Sequence, residues 1–215
     1  MSGLAGARLY LVAPAQLVAG RLEDLVGELG DAGVDLVQLR EKTMEGGDIL
    51  RVGEPIAAAC RQAGVPFIVN DRPDVALALG ADGVHLGRGD VPAWVARRIL
   101  ADGLVGRSTH SEEDIEAELA AEPAPDYISV GPVRPTPTKP GRPGTGLELV
   151  RFAATRVSLP WFVTGGVAPQ TIADVIGAGA RRAVVVRAIT QAADPVGVAA
   201  KLKAQLNSAP LEPVA

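Results

Sequence analysis

Cations and carboxylates in this chain gather where short apolar runs end. The run VDLVQLREK, from Val34, closes on Gln38, Arg40 and Lys42 at alternate positions, a spacing that puts all three on one side of an extended backbone. Two cations and an amide facing one way suit a diphosphate. A plainer alternative stays open, in which Arg40 and Lys42 pair with Glu41 and other carboxylates in solvent. The next run, VPFIVND, closes on Asn70 and Asp71, and the segment after the fourth run, HLGRGD, contains Asp90. Two carboxylates near adjacent strand ends can share a hard divalent cation, because Mg²⁺ takes oxygen ligands and is commonly held by one or two carboxylates plus substrate phosphate. Each Asp also precedes a helical stretch that it could cap instead. Thr164, Gly165 and Gly166 close the seventh run, and the eighth ends near Val186 and Arg187. Glycine permits close approach of backbone to an anion, and N–H groups at a helix start then face it. Two separate anion sites would suit a reaction joining two phosphorylated substrates.

The elements that must position these residues alternate between two periods. Eight β-rich runs begin at Ala7, Val34, Val65, Asp82, Asp102, Asp126, Leu159 and Arg182. Segments with helical spacing lie between them, among them 18–32, 48–63, 91–101 and 111–121. Ser111 followed by Asp114 is a near capping box, and the Ala32-Gly33 and Ala63-Gly64 pairs supply helix stops. Alternation of this kind fits either a closed barrel or an open doubly wound sheet. Eight regular units in a chain of 215 residues predict a single-domain (β/α)8 barrel over 1–209, with 210–215 as a disordered tail, since open sheets usually have about five or six strands. In such a barrel the chemistry sits at the C-terminal ends of the strands, where the polar residues above lie. The connection 134–146, RPTPTKPGRPGTG, is too rich in proline and glycine for regular structure, and loops of this length are usually functional.

Composition narrows the partners. Apolar residues are 47% and charged residues 21%, the balance of a globular protein. Twenty-one basic side chains against 25 acidic ones give −4, so no overall basic field favours nucleic acid or an anionic membrane. Two Trp, two Tyr and three Phe are too few for stacking platforms along a single strand. No apolar run approaches a membrane span, the start MSGLAGARLYLV lacks a signal-peptide pattern, and one cysteine, Cys60, suits a reducing compartment. A cytoplasmic location is expected, and a homo-oligomer is compatible with these features. His85 falls within the fourth run and His110 after the fifth; a hydrogen-bonded structural role is the commoner one for either, and a catalytic role stays open. Cys60 is read as a small buried residue and Trp94 and Trp161 as packing. No P-loop, zinc pattern or serine triad is present.

Five motifs in order, QLREK (38–42), NDRPDVALALGADGVHLGRGD (70–90), GRSTHS (106–111), GPVRPTPTK (131–139) and GGV (165–167), resemble the thiamine phosphate synthase family, from Leu9 to about Pro195. The resemblance implies a transferase that couples 4-amino-2-methyl-5-hydroxymethylpyrimidine diphosphate to a thiazole phosphate, releasing pyrophosphate. It implies contacts to the pyrimidine diphosphate from Gln38, Arg40, Lys42, Asn70 and Ser108, with Leu39 and Glu41 in the same stretch, and Mg²⁺ held by Asp71 and Asp90. Thr136, Pro137 and Thr138 are implied for the thiazole phosphate, together with Gly166 and the amides of Val186 and Arg187. Lys139 returns to the diphosphate, so that Arg40, Lys42, Ser108 and Lys139 form the implied catalytic set. Arg187 departs from relatives that carry Ser, at a contact expected through the backbone. A thiazole tautomerase or regulatory relative on the same barrel is the alternative; such a chain would have lost the diphosphate and metal groups that Gln38, Asp71 and Asp90 retain.

Overall fold

In the computed structural model, which describes residues 4–136 and 143–210, each apolar run becomes a short strand with almost every residue buried. These strands are β1 (Leu9–Ala13), β4 (Leu36–Leu39), β5 (Phe67–Asn70), β6 (Gly83–Leu86), β7 (Leu104–Thr109), β8 (Tyr127–Val130), β9 (Trp161–Val163) and β10 (Ala183–Val185). All pair in parallel, and β1 joins both β4 and β10, which closes the sheet into an eight-stranded barrel. Burial on both faces explains the continuous apolar runs, since parallel strands covered by helices have no solvent side.

The helices follow as α1 (Leu22–Asp31), α2 (Gly46–Ala63), α3 (Pro73–Leu79), α4 (Ala93–Leu100), α5 (Glu112–Leu119), α6 (Glu148–Arg156) and α7 (Ile172–Gly177). After β10 come a four-residue α8 (Arg187–Thr190) and then α9 (Pro195–Asn207). Ser111 caps α5, its Oγ accepting from Asp114 N at 3.2 Å. The Asp114 carboxylate reaches one residue further back than a capping box requires and accepts from His110 N at 2.8 Å.

Three expectations about local structure change. The helix expected over 18–32 begins only at Leu22, because β2 (Gln16–Leu17) and β3 (Gly20–Arg21) form a small antiparallel hairpin first. Val18 N there donates to Thr190 O at 3.0 Å, which ties the hairpin to α8. The eighth run divides, with its apolar half forming β10 and its RAIT half forming α8. Trp94 is half exposed on α4 instead of packed, whereas Trp161 and Cys60 are buried as expected.

Side-chain alternation along the strands separates two cores. Leu9, Leu11 and Ala13 point outward to the helices, in the larger cluster. Tyr10 and Val12 point inward and meet Leu36, Ile68, Tyr127, Phe162 and Val184 on the barrel axis. Tyr10, Tyr127 and Phe162 pack edge to face with centroids 5.4–5.8 Å apart, each pair adding about 0.5–1.5 kcal/mol beyond burial. At the N-terminal rim, aspartates preceding three strands hold a neighbour in register. Asp35 accepts from Leu9 N at 2.8 Å, Asp82 from Phe67 N at 2.7 Å and Asp126 from Val105 N at 2.7 Å. With that end fixed, the loops at the other end are free to carry chemistry.

Candidate active site

The C-terminal rim carries two cavities. The first, about 100 Å³, has Gln38, Arg40 and Lys42 on one side, Asn70 and Asp71 next to them, and His85, Ser108 and Ser129 across from them. β4 stops at Leu39, so Arg40 and Lys42 leave the strand into the loop, with Arg40 N making the last rung to Ala13 O at 2.8 Å. The alternate spacing still brings both cations beside Gln38, which is 2% exposed. Burial lowers the pKa of Arg40 while Asp71 and Glu41 oppose that shift; a guanidinium keeps its charge regardless. Lys42 Nζ is ion-paired with Asp71 Oδ2. Leu39 belongs to the core under the helices, and the Glu41 carboxylate accepts from Ala15 N at 2.8 Å, so neither side chain joins the cleft.

Asp71 and Asp90 face each other as neighbouring carboxyl groups. Burial, and then the hydrogen bond and charge of Asp71, push the Asp90 carboxyl above the usual carboxylate range. Asp90 Oδ2 accepts from Gly87 N at 2.6 Å, and Asp71 N donates to His85 O at 2.8 Å. The capping alternative does not hold for either, since α3 and α4 start without a side-chain cap, from Arg72 and Pro92. Asp71 instead sits in the left-handed region at φ 65°, a conformation in which Asp and Asn are enriched among non-glycine residues. Among the described residues no group of three or more His, Cys, Asp or Glu side chains comes together. Two close carboxylates with nothing softer beside them fit Mg²⁺, which completes its shell with water and phosphate oxygen.

The second cavity, about 360 Å³, is lined by Thr136, Gly165, Gly166, Val186, Arg187 and Ala188 among others. β9 runs into Thr164 and a turn whose glycines both have positive φ, 97° at Gly165 and 71° at Gly166. A Cβ at Gly165 would fall 2.4 Å from Pro132 Cβ, so that position excludes any side chain. Across the cavity α8 begins at Arg187; Ile189 N and Thr190 N already donate to Val186 O at 3.1 and 3.0 Å, so an anion there would be met by the N–H groups that precede them. The two cavities share Thr164, Val184 and Val186 as a common wall. Pro137, Thr138 and Lys139 lie outside the described residues.

Sequence reasoning missed Tyr10 and Ser129, which line the first cavity, and left the role of His85, which also lines it, open. Register could have found them. Tyr10 alternates with the outward Leu9 and Leu11, and Ser129 pairs with Ser108 across β7 and β8. His110 is placed elsewhere, its Nδ1 bonded to Gly131 O.

The family described as thiamine monophosphate synthase matches residues 9–189. A thiamine-phosphate synthase of Acidothermus cellulolyticus is 48% identical over 210 residues, covering 97% of this chain and 99% of that protein. One of Thermus thermophilus is 49% identical over 203 residues, with 93% and 97% covered. Among solved structures, a thiamine phosphate pyrophosphorylase from Pyrococcus furiosus has a TM-score of 0.82 at 29% identity, covering 96% of each chain. A 3-hexulose-6-phosphate synthase, at 22% identity and a TM-score of 0.64, shares the fold alone.

Proposed function

The chain belongs to the thiamine monophosphate synthase family, and on that premise we propose how its two cavities divide the work. The protein is a transferase that condenses 4-amino-2-methyl-5-hydroxymethylpyrimidine diphosphate with a thiazole phosphate to give thiamine monophosphate and pyrophosphate. In our reading the cationic cavity takes the pyrimidine diphosphate, through Gln38, Arg40, Lys42, Asn70 and Ser108. The glycine-lined cavity takes the thiazole phosphate, through Thr136, Gly166 and the amides of Val186 and Arg187. The observation that supports this division is the shared wall of Thr164, Val184 and Val186, which sets the two cavities side by side.

Asp71 and Asp90 would hold Mg²⁺, which when bound supplies positive charge against the diphosphate oxygens. Arg40 and Lys42 add fixed charge where negative charge accumulates on the leaving group, a contribution larger in the transition state than in the ground state. The C–O bond to the diphosphate breaks with its electron pair leaving on pyrophosphate, and the thiazole nitrogen lone pair forms the new C–N bond. No proton moves in that exchange, so no side chain has to act as a base. Holding both partners by their phosphates makes the attack effectively intramolecular. The role of Lys139 rests on the match of residues 131–139 alone. Among the described residues no helix is long and apolar enough to cross a membrane. A cytoplasmic location is our reading from the single, buried Cys60.

Incubating the purified protein with both substrates should yield thiamine monophosphate and pyrophosphate in equal amounts with Mg²⁺, and almost none after chelation. Product at an undiminished rate without divalent metal would reject the metal assignment. The division between cavities has its own test in Gly166→Ala. The added Cβ would lie 3.0 Å from Arg134 Cβ, at a positive φ that alanine disfavours, so the phosphate cradle must shift. An increase of about tenfold in KM for the thiazole phosphate is expected, the scale of one lost phosphate contact, with KM for the pyrimidine diphosphate nearly constant. Equal losses for both substrates in a folded variant would argue against separate sites.

A further inference from the structure

The polar groups of the cationic cavity are connected behind its wall by hydrogen bonds inside the barrel. Gln38 Nε2 donates to the Tyr10 hydroxyl. The Tyr10 and Tyr127 hydroxyls share a hydrogen bond of 2.9 Å, and the Tyr127 hydroxyl lies 3.3 Å from His85 Nδ1. His85 Nε2 in turn lies 3.0 Å from Ser108 Oγ. The path runs from the end of β4 through β1, β8 and β6 to β7, and so links opposite sides of the cavity. Gln38, Tyr10, His85 and Ser108 all line the cavity, whereas the lining does not include Tyr127.

Tyr127 is fully buried, packed edge-on against Tyr10 and Phe162 and stacked on His85. A phenylalanine would satisfy that packing, as Phe162 does beside it. The hydroxyl is a polar group removed from water that must be bonded or cost stability. The neighbouring strand makes room for it. Gly106 is paired with Tyr127 in the β7–β8 register, and a Cβ at Gly106 would lie 2.1 Å from Tyr127 Cζ and 2.4 Å from its hydroxyl. Burial pushes the Tyr10 and Tyr127 phenols well above their usual range, so both retain their protons.

We propose that Tyr127 is a positioning residue for the pyrimidine diphosphate, linking Tyr10 to His85 so that the Gln38 amide and the Ser108 hydroxyl are oriented together as one unit. The proposal rests on the reading that Gln38 and Ser108 contact this substrate. Its physical basis is directional. A hydroxyl has a single proton, so the neighbour that receives it fixes what the next group must donate or accept, and the bonds of such a chain reinforce one another. Removing the central hydroxyl leaves both ends in place and separates their orientations.

The test uses Tyr127→Phe in the full chain, with each substrate varied in turn. KM for the pyrimidine diphosphate should rise about five- to tenfold, the scale of one or two lost hydrogen bonds, while KM for the thiazole phosphate stays constant. Gln38→Ala and Ser108→Ala should be non-additive in kcat/KM by about fivefold in the parent protein, and additive in the Tyr127→Phe background. A second measurement needs no change at Tyr127. The imidazole ¹⁵N resonances of His85, three hydrogen bonds from Gln38, should shift in Gln38→Ala. Unchanged KM values, equal rises for both substrates, or unmoved His85 resonances would each overturn the proposal and leave Tyr127 as a core residue. If Gln38→Ala and Ser108→Ala themselves leave KM for the pyrimidine diphosphate unaltered, the underlying site assignment fails, and the proposal with it.

Discussion

Asp71→Asn and Asp90→Asn should each reduce Mg²⁺-dependent turnover by about 100-fold, and Asp90→Asn should do so without lowering the melting temperature. The loss follows from replacing an anionic oxygen by a neutral amide beside a divalent cation, an interaction of charge-assisted strength, roughly 1.5–3 kcal/mol, or one to two decades in rate. Asparagine is the informative replacement because it keeps the shape of both sites. At Asp71 it tolerates φ 65°. At Asp90 its carbonyl can still accept from Gly87 N. The stability half depends on the sign of the Asp90 shift. Its folded-state pKa is raised by burial and by Asp71. A raised carboxyl gives stability that is complete below the unfolded value near 3.9 and is lost as pH rises through the folded value. At neutral pH without metal the ionised Asp90 carboxylate therefore opposes folding. Asp90→Asn removes that opposition, so its metal-free melting temperature at pH 7 should equal or exceed that of the parent. Wild-type turnover at low Mg²⁺ in both variants would rule out the shared metal. A clear fall in melting temperature for Asp90→Asn would show that the pair is structural.

Arg40→Met should lower kcat/KM for the pyrimidine diphosphate by about 100-fold and leave KM for the thiazole phosphate unchanged. Arg40 is half buried, and burial disfavours its charge. A half-buried cation of this kind favours an anion beside it. Asp71 and Glu41 supply part of that charge, and in our reading the substrate diphosphate supplies more. Methionine keeps much of the aliphatic stem, so thermal stability should change little. Kinetics with each substrate varied, beside a melting curve, decides the matter. A loss confined to stability would make Arg40 an internal counter-ion for Asp71.

Strands and rim residues were legible in the sequence for a shared reason. A parallel strand covered on both sides is mostly apolar, so polar side chains gather toward its C-terminal end, as Gln38, Asn70 and Thr164 do. The hairpin at Gln16–Arg21 was not legible. Its six residues carry too short a pattern to compete with the helical spacing that begins beside them, and its tie to Thr190 O is a long-range contact. Tyr10 and Ser129 were hidden differently. Inside a barrel the inward and outward faces are both buried, so alternation no longer separates polar from apolar, and only strand register shows that their side chains converge. The opposition of Asp71 and Asp90 was visible as a pair of strand-end carboxylates, but the left-handed backbone at Asp71 was not.

The wall of Thr164, Val184 and Val186 has a consequence for the end of the cycle. In our reading each cavity holds, before reaction, a ligand that can depart alone. Afterwards a single molecule spans the wall, and whichever half lets go remains tethered beside its cavity at an effective concentration on the order of millimolar. Rebinding then competes with escape, and two weakly held parts become one bivalent guest. On that reading, loss of pyrophosphate would weaken this grip by emptying the Arg40 side of the cleft, and the by-product would act as a release signal for the product. An active site with its compartments this close is expected to be timed by departure more than by bond making.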